Sequence, residues 1–241
     1  MIVAAHQPLY MPWLGFFDKM AKADLFVVMD DLQYEPQNFQ NRNRLRLVDG
    51  PAWVVVPIEH GPQSERVLDK RIDNSAVGRE HWQWRTWRTL EVNYCRTHYW
   101  NRYAYALHAV YHSPWERLVD LNIALIELAR DWLRIETPML RSSQLGLSGA
   151  KTDRIIDLCQ KVDARAYLAG NGGSRRYLDD EKLGRAGLGL IWQVFDHPVY
   201  PQRYPERGFD SHLSFLDLLL NCGPAAREVL FDRSHPMRLV A

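Results

Sequence analysis

The sequence predicts an α/β fold: a mostly parallel sheet built from βαβ units, with a helical insert. Three observations predict it. Residues 2–5 form an apolar run that stops at a histidine and a proline-bracketed turn, and a second apolar run at 25–29 stops at Asp30 and Asp31. Residues 152–195 repeat the alternation of helical and strand-like segments. Between the two stretches, residues 79–133 recur apolar every three or four positions, the period of helices.

The first strand covers residues 2–5, and the turn through Pro8 and Pro12 feeds a helix before the strand at 25–29. Residues 42–47 and 53–58 read as two strands joined by Val48, Asp49, Gly50 and Pro51, with the Asp-Gly signal of a tight turn. Residues 61–64 read as a loop and 67–72 as another short strand. Helices follow at 79–94, where Trp84, Trp87, Leu90 and Tyr94 mark one face, and at 100–111 and 115–133, the last stopped before Pro138. A polar loop at 141–149 leads to a helix from Thr152 or Asp153 to Val162, a buried strand at 166–169, a helix at 177–186 and a strand at 190–195. Ser214 is a good cap for a last helix ending at Cys222 and Gly223, and the tail beyond Phe231 is expected to lie on the surface or fray. The 241 residues suffice for one α/β domain, with 78–135 its mainly helical section.

Composition narrows the function. Thirty Lys and Arg against 29 Asp and Glu give a net charge of +1, so no global field recruits DNA or an anionic membrane. No apolar run approaches the roughly 20 residues of a spanning helix, and no signal sequence is evident, so a cytoplasmic protein without membrane insertion is expected. Cys95, Cys159 and Cys222 are odd in number and far apart, against a disulfide framework or a cysteine zinc site. Cys95, beside Arg96 and His98, is a minor nucleophile candidate. His108 and His112 have metal spacing without an acidic companion, so no metal and no cofactor is expected. Nine Trp and eleven Tyr suit either core packing or a pocket for rings and sugars.

Chemistry is expected where strands end, because ligands of open parallel sheets bind outside the carboxyl ends. Strand one delivers His6 and Gln7, the second Asp30 and Asp31, the strand at 166–169 delivers Gly170 and Asn171, and the strand at 190–195 delivers His197. Strands about 4.8 Å apart bring such ends into one volume. His6 is the expected general base, oriented by the carboxylate of Asp30 or Asp31. Gln7, Tyr10 and Trp13 are expected to position substrate. Asn38, Gln40, Asn41, Arg42, Asn43 and Arg44 form an amide and guanidinium cluster suited to carboxylates, phosphates or sugar hydroxyls, with Asn41 and Asn43 facing one way and Arg42 and Arg44 the other. The prolines around Tyr200 and Gln202 restrict a loop that aims those side chains at a ligand. The glycine-rich segment 170–174 with Arg175 and Arg176 suits an anion, although it is neither a Walker loop nor a dinucleotide fingerprint.

The stretch 6–20, together with 38–44, 151–154, 167–170, 177–179, 197–202 and 213–217, resembles the WbqC-like protein family of bacterial surface-polysaccharide and related gene clusters. The resemblance implies transfer of glycine or a similar acyl unit to a sugar. It leaves the donor open among a carrier-protein thioester, a charged tRNA and an activated small molecule. In that scheme His6 deprotonates the acceptor and Asp30 orients His6, while Gln7 or a backbone amide holds the oxyanion. The layout is also Rossmann-like, similar to the start of nucleotidylyltransferases and class I synthetases. Their second histidine is missing here, since Phe16 follows Gly15. A nucleotide-dependent ligase and a non-catalytic sugar-binding component of a glycan-assembly complex are the alternatives.

Overall fold

A computed structural model describes residues 1–231. Five parallel strands form the sheet in the order β5-β2-β1-β6-β7, where β1 is Ile2–His6, β2 Leu25–Val28, β5 Met139–Arg141, β6 Ala166–Ala169 and β7 Gly189–Trp192. Side chains alternate across these strands. Ala4, Phe26, Val28, Leu168 and Ile191 point into the larger core, which is covered by α1 (Leu14–Ala21), α4 (Leu118–Leu133) and α7 (Phe215–Cys222). Val3, Val27, Tyr167, Ala169 and Leu190 point to the opposite side, covered by α5 (Thr152–Lys161) and α6 (Asp180–Arg185). The α/β architecture with a mostly parallel sheet is therefore as the sequence predicts.

An antiparallel hairpin, β3 (Arg42–Leu47) and β4 (Gly50–Val55), stands apart from the sheet and turns at Gly50, whose φ of 111° suits glycine. It is tied to the first turn of the chain and to α7, because Ser214 N–H donates to Arg44 O and Phe215 N–H to Pro12 O. The helical section comprises α2 (Trp82–Tyr94), α3 (Trp100–His112) and α4, and a short α8 (Ala226–Phe231) follows α7. The buried stripe of α2 runs through Trp82, Thr86, Leu90 and Tyr94, leaving Trp84 exposed.

Two elements differ from expectation. β5 occupies residues read as the edge of a loop: three residues after Pro138 are too short to show a period, yet they pair in register with Phe26, Val27 and Val28. Residues 67–72 are not a strand; Val67–Asp69 is a 3-10 turn held by Val67 N–H to Leu32 O and Leu68 N–H to Asp30 O. Those bonds to the end of β2 override the apolar pattern. The expected surface tail lies outside the described residues.

Candidate functional site

From β1 the chain passes through α1 on one face to β2, and from β5 it reaches β6 through α5 on the other face. The connections thus reverse direction between β1 and β6, the place where doubly wound sheets open a crevice. The β1–β6 ladder ends at Ala4 and Leu168. Lys19 of α1 reaches the end of β1 here, its Nζ donating to Ala5 O at 2.8 Å. The side chain is almost fully buried, at 3% exposure. Among the described residues no carboxylate pairs with it, and the adjacent Asp18 is engaged by Lys22 and by Gln193. Burial alone brings the Lys19 ammonium down to about 7.

His6 ends β1 beside it, part-buried, its ring edge-to-face with that of Phe16 and the ring centres 5.2 Å apart. Its Nδ1 lies 2.9 Å from Gln7 O. A carbonyl only accepts, so Nδ1 carries the proton and the neutral ring keeps a bare Nε2. Burial, then the charge of Lys19, push His6 down to about 3, so the ring is neutral throughout the physiological range.

The opposite wall comes from the end of β6. A Cβ on Gly170 would stand 3.7 Å from Lys19 Nζ and 4.0 Å from Gln193 Oε1. Asn171 donates through Nδ2 to Gln193 O and accepts from Arg175, which lies 3.8 Å over the ring of Trp192. Gln193 donates to Gly15 O and to Asp18. The ends of β1 and β6 thus carry His6, Gln7 and Asn171, which the sequence named, and Lys19 and Gln193 reach the same ends, which it did not foresee. The overlooked signal was an Asp-Lys pair inside a short helix that is apolar on every side: seven of its eight residues are buried.

The hairpin amides build the turn after Gln7 rather than presenting themselves to a ligand. Met11 has φ 44°, unusual for a non-glycine residue, and Asn43 Nδ2 donates to the Tyr10 and Met11 carbonyls at 3.1 and 2.6 Å. Gln40 donates to Gln7 Oε1 at 2.8 Å and accepts from Glu35 N–H. Asn41 donates to Val56 O. Asn122 of α4 donates to Pro8 O and Gln40 O. Asn38 bonds Glu35 and the Phe39 amide, and the Tyr10 hydroxyl is buried 3.0 Å from that of Tyr111. Asn41 and Asn43 are buried while Arg42 and Arg44 stay part-exposed, following the expected alternation. Arg42 lies 4.6 Å over Trp53 and bonds Gln37 O, and Arg44 bonds His212 O. Arg42 also lines a cleft of about 390 Å³ with Tyr34, His60 and Lys70.

Asp30 does not orient His6. It is fully buried and accepts from Arg141 Nε at 2.7 Å, from the Ser142 and Ser143 hydroxyls, and from Ser143 N–H. Although burial opposes ionisation, these donors together hold its carboxyl below the ordinary range. Asp31 accepts from Ser142 and pairs with Arg154 at 2.5 Å. The missed β5 is the cause, because it places Arg141 beside β2, where its guanidinium pairs with Asp30.

Tyr200 and Gln202 are likewise committed elsewhere. Gln202 donates to Asp210 O and to the buried Asp217, which also accepts from Tyr94 at 2.9 Å; Tyr200 is buried. Arg46 pins the same loop through Arg203 O, Tyr204 O, Gly208 O and Asp210. His197 accepts from His212 N–H at 3.1 Å, and His212 stacks on Trp13 with ring centres 5.4 Å apart. The rings of His108 and His112 stack at 3.7 Å, and among the described residues no group of three or more His, Cys, Asp or Glu could hold a metal. Cys95 is exposed, whereas burial pushes the Cys159 thiol up to about 12. No helix among the described residues is long and apolar enough to cross a membrane.

Fold and site define a doubly wound α/β protein with polar side chains at its switch point. The chain belongs to the WbqC-like protein family, whose model matches residues 7–229. It is 32% identical over 231 residues to uncharacterized protein Rv1507c of Mycobacterium tuberculosis, a match covering 95% of this chain and 96% of that one. No solved structure matches it significantly.

Proposed function

We propose that the protein is a transferase that moves an acyl or aminoacyl unit onto the amine or hydroxyl of a sugar or other small biosynthetic intermediate. One observation carries this reading: a neutral histidine with a bare Nε2 stands beside a buried, unpaired lysine at the sheet's switch point. The acceptor nitrogen or oxygen attacks the acyl carbonyl through its lone pair, and His6 Nε2 takes the proton it carries. The Lys19 ammonium faces the charge that develops on the carbonyl oxygen. Collapse of the tetrahedral intermediate breaks the bond to the donor, and the proton on His6 passes to the leaving oxygen or sulfur. The resemblance to surface-polysaccharide proteins supports a sugar acceptor and a glycine-like unit, delivered by a carrier protein, a charged tRNA or an activated small molecule in the cytoplasm.

The test offers amino and hydroxy sugars together with glycyl carrier protein, glycyl-tRNA or acyl-CoA, and follows acylated product by mass spectrometry. Wild type is expected to form product, and His6→Ala, with unchanged circular dichroism, is not. Product formation by His6→Ala at the wild-type rate, or none from wild type with any donor, contradicts the reading.

The strand order, with β1 central and the glycine-rich segment at the end of β6, favours a second reading, a nucleotide-dependent ligase or nucleotidylyltransferase-like enzyme. Calorimetric binding of ATP or CTP, abolished in His6→Ala, would select it.

A further inference from the structure

Lys19 is out of electrostatic balance with its surroundings. An ammonium offers three donors, and here one is used, on Ala5 O. The ionisable groups nearest in the chain do not compensate it: Asp18 bonds Lys22 and Gln193, and Lys22 also caps Val194 O. His6 on β1 is neutral, and the neighbours from the β6 and β7 ends, Gly170 and Gln193, do not ionise. A buried charge left this way is costly unless something supplies the missing partner. At the same point Gly170 has no side chain, and a Cβ there would touch Nζ at 3.7 Å.

We infer that Lys19 is the receptor for an anionic group, a carboxylate or a phosphate, carried by the ligand of the β1–β6 crevice and reaching Nζ past Gly170. This rests on the proposed reading only in placing the ligand in that crevice. The anion gives Lys19 its counter-charge and favours the ammonium, so binding above neutral pH takes up a proton.

The test is calorimetry of the full chain with inorganic phosphate, pyrophosphate and malonate in the millimolar range, each in two buffers of different ionisation enthalpy at pH 8. Wild type is expected to bind at least one probe with net proton uptake; preference for malonate identifies a carboxylate ligand, and preference for phosphate or pyrophosphate a phosphorylated one. Lys19→Met should lose about tenfold or more in affinity and all proton uptake. Lys19→Arg, permanently charged, should keep binding without proton uptake, which guards against a folding defect in the first variant. Binding and uptake unchanged in a folded Lys19→Met, or no saturable binding of any probe to wild type, overturns the inference. Anion binding without acyl transfer overturns the transferase reading alone, and transfer without Lys19-dependent binding overturns the anion site alone.

Discussion

At the carboxyl ends of β2 and β5, Asp30 meets Arg141 and two serines, and Asp31 meets Arg154. At the ends of β1 and β6, two strand widths away, Lys19 meets a carbonyl and His6 meets another. Both halves of the edge carry ionisable side chains, yet in one each carboxylate meets a cation, while in the other, among the described residues, no carboxylate pairs with Lys19. The paired half is a clamp that fastens β5 to the sheet. The unpaired half costs the fold stability, which is the usual mark of a site kept for a ligand. Residue type alone does not separate the two; the partner does.

The largest expected effect lies in the clamp. Asp30→Ala removes the acceptor of Arg141, of the buried Ser142 hydroxyl and of Ser143, and should lower stability by about 3–5 kcal/mol in urea unfolding. If it costs no more than a surface change, the contrast between the halves breaks down. Lys19→Met should move the other way, raising stability at neutral pH by on the order of 1–4 kcal/mol because it removes an uncompensated buried charge. Its pH signature follows from linkage. The folded Lys19 releases its proton near 7 and the unfolded one near 10.5, so wild-type stability rises with pH across that window and the Lys19→Met profile lacks the rise.

On the acid side, His6 takes a proton at about 3 when folded and 6.5 when unfolded. Stability present above 6.5 is therefore lost as pH falls toward 3, and a His6→Gln variant should escape about 2 kcal/mol of that loss at pH 5. Asp30 adds a separate loss below 3.8, common to both proteins. The smallest change in stability is expected from Gly170→Ala, within about 0.5 kcal/mol, since its added methyl meets Nζ at ordinary contact distance. The same methyl should weaken anion binding, and a variant that binds as wild type would place the ligand's path elsewhere.

Most of the fold was legible because long elements declare their period: the βαβ opening, the hairpin, the helical section and the second run of α5, β6, α6 and β7 all carry clear patterns. β5 did not, and that one omission misdirected the site. With Arg141 read as a loop residue, Asp30 had no visible cation and His6 was the partner at hand. The amides of residues 38–43 look like ligand donors in the sequence because nothing there shows that the Met11 turn needs them. His6, Gln7 and Asn171 were legible from their positions at strand ends. Lys19 was not, because a strand-end rule does not search the interior of a helix, and its chemistry comes from the tertiary burial of α1 against β1.

Lys19 is central as an unpaired, desolvated amine. A carbon-13 NMR titration of its Cε in the ligand-free protein, assigned with Lys19→Arg, is the most direct measurement. An inflection near 7 that moves upward when pyrophosphate or malonate is added is the predicted result. An inflection at the ordinary lysine value of 10.5, unmoved by either anion, would contradict it.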